Sequence, residues 1–147
     1  MTLLILLHLL AAIVWVGGMV FAHFCLRPAS MELAPAVRIP LMIAALGRFF
    51  NLVIGAIVIL LFSGVYLLMM RGGMAHVPLG IHLMLGLGVL MMLIFGHIYM
   101  GVFRRARQMS TTADWVGAAG KLNQIRVLVA INMMLGVVAI AAVKLLT

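Results

Sequence analysis

Four of the histidines in this sequence lie in apolar stretches and form two pairs of equal spacing, His8 with His23 and His82 with His97, each fifteen residues apart. In an α-helix that spacing separates two rings by about 22 Å along the axis and by about 60° around it, so each pair lies on roughly one face. A ring of this kind inside a bilayer is costly and marks a functional site by default. Neutral imidazole is also the commonest metal ligand among side chains. The two faces match further, as His8, Ala12, Trp15, Met19, His23 against His82, Gly86, Leu90, Leu93, His97. A small residue one turn after the first histidine, Ala12 or Gly86, leaves space beside its ring for a flat ligand, and Gly17, Gly18, Gly88 and Gly96 add room.

The elements that must carry these residues follow from composition. The chain of 147 residues is 67% hydrophobic and 8% charged, far from the balance of a soluble domain. Stretches long enough to cross a bilayer are expected at 3–25, 41–70, 79–103 and 122–146, within a single transmembrane domain. The fold class is therefore all-α, an integral membrane four-helix bundle with up-down-up-down topology. Arg27, Arg38, Arg48, Arg104, Arg105, Arg107, Lys121 and Arg126 cluster at the first and third connections, against Arg71 and Lys144 on the other side. This positive-inside bias places both termini outside, on the periplasmic face of a bacterial inner membrane. The first apolar run has no basic leader and no small-residue cleavage site, so it reads as a retained span.

The formal charge of +8 is a topology signal rather than a nucleic-acid surface, and Arg104, Arg105 and Arg107 suit lipid headgroups. The two acids, Glu32 and Asp114, fall in connections, which argues against a transporter built on buried carboxylates. Cys25 is the only cysteine, which excludes an internal disulfide and a CxxC motif. Trp15 is expected in the core. Asn132, Ser63 and Tyr66 suit interhelical hydrogen bonds, and Asn51, Asn123 and Gln124 form a polar cluster with Arg48 and Arg126.

The first and third spans run parallel, so His8 meets His82 at one depth and His23 meets His97 at the other. Two stacked bis-histidine pairs resemble the ligand sets of membrane di-haem b-type cytochromes. That resemblance implies two b-type haems, Arg48 and Arg126 at haem propionates, and electron transfer with a quinone or another redox partner. The alternative from the same residues is copper, because Cu(I) favours thioether together with imidazole. Met19 lies one turn before His23, and Met100 lies three residues after His97. The mainly apolar gap between the histidine layers suits fixed redox cofactors better than ion passage, which ranks haem ahead of copper. The oligomeric state, a homo-oligomer included, stays open.

Four longer stretches, HLLAAIVWVGGMVFAHFCLRPA at 8–29, RFFNLVIGAIVILLFSG at 48–64, HLMLGLGVLMMLIFGHIYM at 82–100 and KLNQIRVLVAINMMLG at 121–136, resemble the CopD-like family, named after copper-resistance protein D. The resemblance implies copper handling. The His8 to Trp15 spacing followed by Arg27-Pro28 is also similar to the opening of HemJ-type protoporphyrinogen oxidases, which bind haem; those enzymes carry a lysine in the third helix, and this chain has none there.

Overall fold

Inside lipid a backbone must satisfy its own hydrogen bonds, which leaves a chain this apolar the helix as its spanning form. The computed structural model describes residues 1–146. They form four long helices, α1 (Thr2–Ser30), α2 (Pro35–Met70), α3 (Leu79–Thr111) and α4 (Trp115–Leu145), all apolar enough to cross a membrane. Residues 31–34, 71–78 and 112–114 connect them, the second including a 3-10 turn at Met74–His76. The chain is thus an all-helical, multi-pass membrane protein. Both termini and the 71–78 connection share one end of the bundle, the terminal end; the other two connections define the basic end.

The helices run past the expected spans at the basic end. α2 starts at Pro35 rather than at residue 41, with Pro35 in its first turn, where its missing N–H is not needed. The polar stretch expected as a connection over 104–121 is helical except at 112–114. Here Phe103 and Ala106 are buried while Arg104 and Arg105 are exposed, so the helix is amphipathic where it outgrows the apolar span. Charge marked the ends of the lipid-facing segments, and the helices continue beyond them.

Packing pairs α1 with α2 and α3 with α4, while α4 also touches α1 and α2. Small residues permit the close approaches, as expected where lipid offers no hydrophobic drive to association. At Gly136 of α4, an added Cβ would lie 2.8 Å from Val16 of α1 and 3.2 Å from Met91 of α3. At Gly18 of α1 it would overlap the Phe49 ring of α2. Between α1, α2 and α3 stands an aromatic column. Phe50 meets Phe95 edge-on at 5.6 Å and Phe103 at 5.0 Å, Phe95 stacks near Tyr99, and Trp15 closes on Phe95 at 6.3 Å. Trp15 is core, as expected. Asn132, also buried, donates from Nδ2 to the Met91 carbonyl at 3.2 Å, tying α4 to α3.

Two π-helical turns interrupt the regular winding, Ala22–Leu26 in α1 and Ile98–Val102 in α3. One contains His23 and the other follows His97 directly. Such bulges recur at functional sites because they re-aim side chains within a continuous helix.

Candidate functional site

At the terminal end, His8 is half-buried against α2. Its Nδ1 lies 2.8 Å from Ser63 Oγ, and Ser63 donates its only proton to the Ile59 carbonyl one turn earlier. The serine oxygen must therefore accept from His8, which assigns the ring proton to Nδ1 and leaves the Nε2 lone pair free. Gly64 makes the approach possible, since a Cβ there would sit 3.3 Å from His8 Cε1.

The same assignment holds for two more histidines at this end. His82 Nδ1 is 3.1 Å from the Pro78 carbonyl, and His76 Nδ1 is 2.9 Å from the Gly72 carbonyl. A carbonyl only accepts, so both rings carry the proton on Nδ1 and present Nε2 as a base. Metal-binding histidines are commonly prepared in this way, by a hydrogen bond that fixes the tautomer from behind. Among the described residues, no three His, Cys, Asp or Glu side chains are grouped as a ready metal site.

The basic end is built differently. A cavity of about 160 Å³ lies between α1, α2 and α4, with His23, Arg27 and Ser30 on its α1 side, Arg38 on α2, and Asn123 with Arg126 on α4. His23 Nδ1 is buried there without a hydrogen-bond partner. Arg126 Nε donates to Asn123 Oδ1 at 3.1 Å, and Arg38 reaches the Leu33 carbonyl at 3.3 Å. Apolar residues, including Ile39, Met42 and Val129, line the rest.

The expected site residues are thus distributed as follows. His8 and His82 share the terminal end, each held by its own partner. His23 lines the cavity, whereas His97 is exposed, and no residue of α3 lines that cavity. Met19 is buried and Met100 is exposed. Arg126 faces the cavity, while Arg48 and Asn51 line a separate open recess between α2 and α3. The expected polar cluster is therefore split between two places.

The di-haem pairing finds no support in this arrangement, since His97 is exposed and no residue of α3 lines the cavity that holds His23. Midway between the histidine layers, Val16, Gly136 and Met91 are in close packing and bring α4 between α1 and α3. Gly17 and Gly86, expected to make room for a flat ligand, lie on exposed helix surface with open space around them. The di-haem expectation rested on spacing along each helix, and spacing does not fix how two helices turn toward each other.

Residues 43–146 match the family of copper resistance protein D, CopD. The chain belongs to that family. The CopD match starts inside α2 and includes Ser63, His82 and His97, while His8 and His23 precede it. No curated protein and no solved structure gives a significant match.

Sequence reasoning missed three features of the site. Ser63 was legible as a hydrogen-bonding residue, but its partner stands fifty-five positions away. Arg27 and Arg38 were read as topology charges although both line the cavity. The π-turns went unread although Gly101 lies inside the second and Pro28 follows the first by two residues.

Proposed function

We propose that this CopD-family protein binds Cu(I) at the terminal end of its bundle and serves copper movement into or across the membrane. Copper is the substrate in this reading. The observation that carries it is the His8–Ser63 bond, which leaves Nε2 of a half-buried, membrane-embedded imidazole as a free donor. His82, prepared in the same tautomer at the same end, is the second imidazole ligand. Membership of the copper resistance protein D family supports copper as the metal.

The interior supports a soft cation. Met19, Met91 and Met133 are buried on α1, α3 and α4, apart from Met42, which lines the arginine cavity. Thioethers favour Cu(I) over harder ions, although methionine also serves as adaptable packing. His23 is not assigned as a ligand, because Arg27, Arg38 and Arg126 line its cavity and would repel a cation. On the charge bias we read the terminal end as the periplasmic face of an inner membrane, where copper would enter.

The test is Cu(I) binding by the detergent-purified protein, measured by competition with a chromophoric chelator and by elemental analysis. Stoichiometric copper that is lost in both His8→Ala and His82→Ala is the expected result. A wild-type protein without copper affinity, or one whose affinity neither substitution changes, overturns the proposal. A Soret band in the purified protein would restore the haem reading instead.

A further inference from the structure

The cavity at the basic end has the opposite chemistry from the terminal end. The chain has eight arginines, and the three that are half-buried are Arg27, Arg38 and Arg126, all lining this one cavity; the other five are exposed. Neither acidic side chain, Glu32 or Asp114, lines it. Three guanidiniums brought together by three different helices repel one another and lose hydration. Such a cluster is stable when an anion sits among the forks.

The remaining polar groups agree with that charge. Among the described residues, Arg27 has no side-chain hydrogen bond, and the terminal nitrogens of Arg126 have no acceptor, because its one bond uses Nε. His23 Nδ1, buried and unpartnered, supplies a further donor when it carries the ring proton. The Ser30 hydroxyl is engaged with the Arg27 carbonyl at 2.7 Å and fixes the chain beside the site. The deeper wall is apolar, with Ile39, Met42 and Val129. A cavity cationic at one side and apolar at the other, set at the end of membrane-spanning helices, matches basic interhelical pockets that hold anionic headgroups.

We infer that the cavity lined by Arg27, Arg38, Arg126 and His23 binds a phosphate-type anion, a phosphodiester or phosphate monoester, from a lipid headgroup or from solution. The site is separate from the terminal-end histidines and does not depend on the copper reading.

The experiment measures thermal unfolding of the full chain in neutral detergent, titrated with phosphatidylglycerol, with phosphatidylcholine as control, and separately with inorganic phosphate. Three proteins are compared: wild type, the triple variant Arg27→Gln/Arg38→Gln/Arg126→Gln, and a charge-matched variant of exposed arginines, Arg48→Gln/Arg104→Gln/Arg105→Gln. Phosphatidylglycerol should stabilise wild type, with apparent affinity weakened about tenfold or more in the cavity variant, since hydrogen bonds to charged groups are the strong ones. The exposed variant should stay close to wild type.

A response to the lipid alone identifies a headgroup; inorganic phosphate that stabilises wild type and competes with the lipid identifies a soluble anion. Equal weakening in both variants, or no stabilisation of wild type by either anion, overturns the inference. Should the triple variant fail to fold, Arg38→Gln alone, in the first turns of α2, carries the same comparison against Arg48→Gln.

Discussion

His8 on α1 donates its Nδ1–H to the Ser63 Oγ on α2 across 2.8 Å, and the serine hydroxyl donates in turn to the Ile59 carbonyl. This relay joins two helices near the terminal end and fixes the orientation of the imidazole. Removing the hydroxyl with Ser63→Ala leaves the ring in place but unsteered. Loss of an outer partner of a metal-binding histidine typically weakens affinity about 10–100-fold. Chelator competition should show that loss for Ser63→Ala and a larger one for His8→Ala. Wild-type Cu(I) affinity in Ser63→Ala would remove the relay from the copper site.

The C-terminal ends of α2 and α3 close with the same pair of backbone hydrogen bonds but with different residues at the left-handed position. After α2, Gly72 and Gly73 send their N–H groups back to Met69 and Leu68, with Gly72 at φ 85°. After α3, Ala113 and Asp114 make the equivalent bonds to Ser110 and Met109, but the left-handed position is held by Ala113 at φ 58°. This is the Schellman arrangement, in which glycine is usual. A Cβ in that conformation costs about 1–2 kcal/mol, partly offset by the freedom glycine gains in the unfolded chain. Ala113→Gly should therefore stabilise the protein by about 0.5–1 kcal/mol, read as a rise in unfolding midpoint. A fall would mean that the turn is not the limiting strain.

Much of this architecture was legible because lipid simplifies the code. Length and hydropathy gave four helices, and short connections made them antiparallel. The ends were not legible, since the segment around Phe103 and Arg105 stays helical after it stops being apolar. The fifteen-residue spacing was real, yet it described each helix by itself. Whether His23 faces His97 depends on helix rotation and on two π-turns, which are set by packing across the bundle. For the same reason, Arg27, Arg38 and Arg126 could be counted from the sequence but not brought together.

Gly136 is the point where α4 approaches two helices at once. Its missing side chain lets Val16 and Met91 close in, and a larger residue must push them apart. Gly136→Leu should cost about 1–3 kcal/mol, the usual range for overpacking a filled core. Gly86→Leu is the control, because nothing lies within 4 Å of a Cβ at that exposed position. Equal stability of the two variants in detergent unfolding would contradict the packing described for α1, α3 and α4.

The charge asymmetry makes a prediction about direction. Eight of the ten basic residues stand at or near the connections 31–34 and 112–114, with Arg71 and Lys144 at the terminal end. The end with the excess of Lys and Arg should remain in the cytoplasm. Alkaline phosphatase, which is active only outside the cytoplasm, should be active when fused after Leu145 and inactive when fused at Thr112. Weakening the bias by Arg104→Glu and Arg105→Glu should be insufficient to turn the bundle over, because acidic residues contribute little to this rule and Arg27, Arg38 and Arg126 remain in place. The reverse fusion pattern in wild type would put His8 and His82 on the cytoplasmic side. The proposed direction of copper entry would then be wrong, while the ligand assignment would stand.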